Sequence, residues 1–262
     1  DMNKRVVTSG SGRERLIALL LVGIVVIAVW AWLSTFYPDY ILPSPGAVAR
    51  RAQELFRQGG LFTVHFRTTL VEALLGFLLG AGAALPLSYL LARHPRLDRL
   101  VTPVVVAIQA IPIVALAPLM VIWFGFGLTS KVIIAALTAF FPVLTNGVVG
   151  LRATDPRLKE MLKIMGAGKR EIFFKLEVPS ALPVLFGGFR MGLTLSVIGA
   201  VVGEFSGAGR GLGYLVYFAR GTFDTALIFV ALLALAVMGI GFYLLISWLE
   251  AVVMPWHKNK DR

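Results

Sequence analysis

Gly166-Ala167-Gly168-Lys169-Arg170 is the stretch of this 262-residue chain whose residue types most invite a chemical reading, because glycine-rich turns that end in lysine cradle phosphates. The spacing fails that test. A phosphate loop needs a glycine five residues before the one preceding the lysine, and a Ser or Thr after it; Lys163 and Arg170 hold those places, and no strand precedes them. ATP binding by this chain is therefore not expected. Cysteine is absent, which excludes thiolate metal sites, disulfides and cysteine nucleophiles. His65, His94 and His257 are scattered with no paired ligand spacing, so no metal site is expected. The protein is read as carrying no catalytic residue and no cofactor of its own.

What remains is polarity in apolar surroundings. Glu72, Arg190 and Glu204 are ionisable residues inside apolar runs, where a charge is costly unless it faces protein or water. Glu72 could pair with Arg67, Arg190 could snorkel to an interface, and Glu204 closes an apolar run beside a Gly-rich stretch containing Arg210. Gln109, Pro112, Thr194 and Ser196 are candidate lining of a solute path, together with Glu204. An amide at position 109 must find a partner, and Pro112 frees a backbone carbonyl beside it. The plainer reading of each is a hydrogen bond that only holds helices together.

The elements that must position these residues follow from composition. With 58% apolar residues, 15% charged residues and a mean hydropathy of +0.83, the chain carries more apolar surface than one soluble core can hide. Several runs reach the ~20 residues needed to cross a bilayer. The expected fold is all-α and polytopic, with six spans: Leu16 to Phe36, Thr68 to Ala92, Val101 to Phe124, Lys131 to Leu151, Val184 to Phe205 and Ala226 to Glu250. Residues 1–15 form a tail, 16–250 the membrane domain and 251–262 a second tail. The first run lacks a small-residue cleavage site and is read as a retained span. Gly76, Gly80, Gly82 and Pro86 are read as close-packing positions. Gly46 to Phe56 has the spacing of an interfacial helix, preceded by an extended turn at Ile41 to Pro45. Trp30, Trp32, Trp123 and Trp248 are read as interfacial anchors.

A net charge of +11 raises the question of nucleic acid, but the basic residues sit between the apolar runs. Counting Lys and Arg by loop places 17 on the side of both tails and the 152–183 loop, against 7 opposite, with Arg190 left out. Both termini are thus expected in the cytoplasm by the positive-inside rule, with no nucleic-acid partner. Arg50, Arg51, Arg57 and Arg67 oppose that rule.

Residues 153–183 are long and polar. The spacing predicts two short helices, Pro156 to Met165, capped by Asp155, and Lys169 to Leu176, with Pro179 and Pro183 ending the helical pattern before the next span. Such an elbow suits a membrane protein that receives a push from a soluble partner.

Glu160, Gly166, Leu176, Val178 and Pro179 fall at the spacings of the E-A-A, three residues, G, nine residues, I-x-L-P loop, with Met161 and Leu162 in place of the alanines. In this the chain resembles permeases of binding-protein-dependent type I ABC importers. Gln109 to Lys131, Glu204 to Val216 and the LPSP stretch Leu42 to Pro45 are similar to the nitrate, sulfonate and taurine branch, and to permeases for riboflavin and thiamine pyrimidine precursors. The resemblance implies that Glu160, Met165, Gly166, Ala167, Gly168, Lys169, Arg170, Glu171, Ile172, Phe173 and Pro179 couple to an ATPase. It also implies a second permease subunit (a homodimer), two ATPase subunits that bind ATP and Mg, an extracytoplasmic binding protein, and a bacterial inner membrane. The wording around Glu204 is closer to the vitamin-precursor members, so a flat heterocycle is ranked ahead of nitrate, sulfonate or taurine. An ion- or proton-coupled secondary transporter is the alternative, and a non-transporting membrane scaffold a third.

Overall fold

The computed structural model describes residues 12–57 and 61–255, so the basic cluster at Lys4 and Arg5 and the C-terminal Lys258, Lys260 and Arg262 lie outside the described residues. The described residues are helical, without a strand among them. In order they form α1 (Gly12–Leu33), α2 (Pro45–Arg57), α3 (Arg67–Arg93), α4 (Pro95–Gln109), α5 (Ile113–Phe124), α6 (Leu128–Arg152), α7 (Pro156–Ile164), α8 (Lys169–Ile172), α9 (Val178–Phe205), α10 (Leu212–Gly221) and α11 (Thr225–Val253). Among the described residues, four continuous helical runs are long and apolar enough to cross a membrane: Val64–Arg93, Leu128–Arg152, Lys169–Phe205 and Thr225–Val253. The expected first span is α1, whose apolar part, Leu20–Leu33, is shorter than these.

Two expectations need correction. The predicted third span, Val101 to Phe124, is two helices, α4 and α5, that meet at 92°. Pro112 causes the break. It has no N–H to continue the ladder and takes an extended ψ of 121°, so α5 restarts from it. The two Pro residues expected to end the 169–176 helix do not end it. Helix continues from Lys169 through a π-helical turn at Phe173–Glu177 into α9, with Pro179 in the first turn of α9 and Pro183 further in. A proline in a first turn loses no intrahelical bond, and the wider turn before it resets the ladder.

The bundle is built on α6, which is packed between α3 and α9. Gly76 and Gly199 press on it from its two sides. A Cβ on Gly199 would sit 2.6 Å from the Ala135 Cα, and one on Gly76 would overlap the Ala135 methyl. Without water to drive apolar contact in a bilayer, this small-residue fit is what holds the helices together. Gly80 does the same against Ala136, whereas Gly82 faces open space. At one end of the bundle stand α7, α8 and the last turns of α3 and α6. At the other lie α2, α10 and the first turns of α3, α6 and α11. The predicted interfacial helix is α2, with Val48 buried. Arg51, counted against the charge rule, is paired there with Asp224 (2.8 Å), the residue that also caps α11. Trp30 is a packing residue as well as a span-end aromatic: its ring stacks on Phe229 at 5.2 Å and its N–H donates to the Pro43 carbonyl. Trp32, Trp123 and Trp248 are exposed.

Candidate functional site

Among the described residues, three polar regions bear on function, the first being the elbow between α6 and α9. Asp155 caps α7 by accepting the Arg157 N–H at 2.8 Å. Gly166 ends that helix with φ +85°, a conformation that L side chains resist. The Gly166 N–H donates to the Lys163 carbonyl and the Ala167 N–H to the Leu162 carbonyl, the paired bonds of a left-handed helix stop. The glycine of the loop motif therefore has a backbone reason. Glu171 accepts from the Gly168 N–H and from Lys175, holding the start of α8. Ile172 is buried, and Phe173 packs edge-on to Tyr89 at 5.0 Å, so this part of the elbow is fastened to α3. Ile164 and Met165 project outward, 87% and 73% exposed. Lys169 and Arg170 are exposed beside them.

Below the elbow, Glu177 joins three elements. It accepts from Arg93 at the end of α3 (2.6 Å) and from Lys159 on α7, with its own carboxylate nearly buried. Sequence reasoning missed it, because Glu177 occupies the variable place in I-x-L-P. Replacing Glu177 with Gln weakens both contacts and loosens α7 from the spans. We expect ATP-driven transport to fall about tenfold while ATP hydrolysis by the complex persists, as read by parallel flux and phosphate-release assays; equal losses in both would assign Glu177 a structural role only.

At the opposite end, Glu204 is 1% exposed. Its carboxylate accepts from the Thr69 hydroxyl at 2.6 Å and the Gly213 N–H at 2.5 Å, while Thr69 accepts from the Leu212 N–H at 2.8 Å. A carboxylate thus meets the first N–H groups of α10, where the helix dipole favours negative charge. Gly211, at φ +116°, and Gly213 leave the room: a Cβ on either would run into that carboxylate. This explains the glycine-rich wording after Glu204, which conceals α10, a helix not foreseen from sequence. Glu72 lies beside Glu204 and pairs with Lys131 (3.1 Å), not with Arg67 as expected. The partner was hidden because it comes from α6, 59 residues further along the chain. These charges stand within about two turns of helix ends, not midway along the spans. Arg190 does not snorkel; it pairs with Glu250 of α11 and lies over Tyr243 at 5.6 Å.

The third place is a cavity of about 470 Å³ at the corner between α4 and α5. Gln109, Pro112 and Ile113 close one side, Thr138, Phe141, Thr145 and Asn146 of α6 the back, and Met191, Leu195 and Ile198 of α9 the other side. The remaining path candidates sit elsewhere. Thr194 is exposed and bonded to the Arg190 carbonyl, Ser196 is buried and bonded to the Leu193 carbonyl, and Glu204 is enclosed as described. Asn146, not singled out from sequence, is the amide that α6 adds to the cavity beside the hydroxyls of Thr138 and Thr145.

Residues 76–258 match the family described as "Binding-protein-dependent transport system inner membrane component". The chain belongs to that family. Among the relatives of this permease, the riboflavin transport system permease protein RibX of Chloroflexus aurantiacus is 49% identical over 223 residues, 85% of this chain and 83% of that protein. The formylaminopyrimidine transport permease protein ThiX of Halalkalibacterium halodurans is 39% identical over 84% of this chain and 88% of its own length. The putative aliphatic sulfonates transport permease protein SsuC of Bacillus subtilis is 31% identical over 99% and 95%. A chain of the MetNI methionine ABC transporter, in an inward-facing form, superimposes with a TM-score of 0.58 at 21% identity over 70% of this permease and 93% of that chain, which shows the fold. The molecule is thus a permease subunit of an ABC importer, in a family that works with ATPase subunits and a binding protein.

Proposed function

We propose that this permease forms the membrane path through which a small, vitamin-like heterocycle, of the kind represented by riboflavin or a thiamine pyrimidine precursor, is imported at the expense of ATP hydrolysed by partner subunits. Two copies of the chain make the path, each elbow faces the cytoplasm with both termini, and a binding protein delivers solute from outside. The elbow carries this reading. Ile164 and Met165 are apolar, more than 70% exposed, and held outward by a left-handed Gly166 on a segment fastened to α3, which is the form of a knob awaiting a socket. A push there is transmitted to α3 through Glu177 and Phe173, and to the cavity through α9, which begins in the elbow and ends at Glu204. Rocking of packed helices on small-residue surfaces then alternates access to the cavity. The heterocycle is favoured over a sulfonate because the riboflavin and formylaminopyrimidine relatives exceed the sulfonate relative in identity.

Proteoliposomes containing the permease, its ATPase and its binding protein test this. Uptake of the heterocycle should require ATP inside, and uptake that persists without ATP would point instead to an ion-coupled carrier. Proteolysis of Pro156 to Phe173 in inverted vesicles, but not in right-side-out cells, checks the orientation.

A further inference from the structure

We infer that the cavity at the α4–α5 corner is itself selective: it accepts an uncharged planar solute with a hydrogen-bonding edge and excludes solutes of fixed charge. The inference rests on the importer reading, and adds that this chain, and not the binding protein alone, discriminates between substrates.

Among the described residues, the wall that this chain supplies to the cavity carries no Asp, Glu, Lys, Arg or His. Charges close by in sequence are engaged elsewhere: Arg190, the neighbour of Met191, with Glu250; Lys131 with Glu72; and Glu204 with Thr69 and Gly213. Nor do helix ends supply a field for an anion. The carbonyl end of α4 and the N–H end of α5 meet at the same corner, so their opposite partial charges offset one another. A sulfonate or a quaternary ammonium entering this space surrenders hydration and meets no counter-charge, which is the costly way to bury an ion.

The groups that are present suit a neutral ring. Asn146 donates from Nδ2 to the Pro142 carbonyl at 2.8 Å, which fixes the amide and leaves its Oδ1 as an acceptor. Gly188 permits α9 to lie directly on this residue: a Cβ there would stand 2.7 Å from the Asn146 Cβ. Gln109 brings a second amide from the corner, exposed and able to donate or accept. Phe141 and Met191 offer an aromatic face and a polarizable thioether for stacking. About 470 Å³ falls within the usual range for small-molecule sites, roughly 300–1,000 Å³.

Saturation-transfer NMR on the permease–ATPase complex in nanodiscs, with the binding protein omitted, reads weak contacts of this kind. The probes are riboflavin, formylaminopyrimidine, taurine and ethanesulfonate. The expected result is saturable transfer to the ring protons of at least one heterocycle and none to the two sulfonates, with the heterocycle signal reduced at least fivefold by Asn146→Leu. Transfer to taurine or ethanesulfonate matching that to the heterocycles, no transfer to either heterocycle, or a heterocycle signal indifferent to Asn146→Leu overturns the inference. Should Asn146→Leu fail to assemble, the four-probe comparison on the unaltered complex decides alone. ATP hydrolysis by the same preparation separates the two levels. A complex that hydrolyses ATP but binds only sulfonates leaves the importer reading intact and removes this one, whereas a permease that associates with no ATPase removes the importer reading itself.

Discussion

Gly166→Val is expected to abolish transport and to reduce co-purification of the ATPase about tenfold, while the permease itself inserts and melts as the wild type does. Gly166 has φ +85° and makes the backbone turn that ends α7. A β-branched residue is a poor fit for that conformation, which costs an ordinary L residue about 1–2 kcal/mol. The chain relieves the strain by unwinding the stop, and Ile164 and Met165 lose their projection. Nothing lies within 4 Å of the position a Cβ would take, so added bulk does not disturb the helical bundle. Gly166→Asn is the discriminating control. Asn tolerates the left-handed region and should keep much of the flux. Normal uptake by the valine variant would show that the shape of this elbow is not what engages the ATPase.

The second large effect is on stability. Lys131→Met should destabilise the protein by about 3–5 kcal/mol, the usual consequence of removing one member of a buried ion pair. Lys131 and Glu72 are 12% and 2% exposed at the side chain, and Glu204 is a second carboxylate alongside. Without the ammonium, two acidic groups face each other with no counter-charge. Adding Glu72→Gln to Lys131→Met should recover most of the loss, because both ends of the pair are then neutral. Thermal unfolding of the purified protein in detergent, with expression yield as a second readout, measures this. A single variant as stable as the wild type would mean that the ammonium does not hold this corner.

Much of this molecule could be read in its residues. Apolar run length located the four continuous long helices and suggested α1, but read the bent pair α4–α5 as one span; Asp155 and the 166–168 glycines marked the elbow because capping chemistry is local. What escaped was of two kinds. Pairings such as Glu72 with Lys131 and Arg190 with Glu250 join residues about 60 positions apart, and a single sequence does not say which helices touch. Backbone outcomes that hinge on competing proline effects also went astray. Pro112 breaks a helix at an apolar place, while Pro179 and Pro183 do not, because each decision depends on which carbonyl would have lost its donor. In the candidate site, the amide at 109 was legible as an oddity in an apolar run. Asn146 was not distinguished from other helix-packing residues, since its significance comes from the corner opposite it. Glu204 was legible as unusual, but one donor to it, Thr69, lies on α3 about 135 positions away and the other, the Gly213 N–H, lies on α10, which reads as a glycine-rich loop.

The run from Lys169 to Phe205 is unbroken over 37 residues, roughly 55 Å at the α-helical rise. A rod of that length is a lever: a tilt of about 5° at its foot displaces its tip by about 5 Å, near the pitch of one helical turn. Glu204, gripping the head of α10, is mounted almost at that tip. On the importer reading proposed above, work done on the elbow reaches Glu204 along one continuous helix, and lesions at its two extremities ought to suppress or aggravate one another instead of adding.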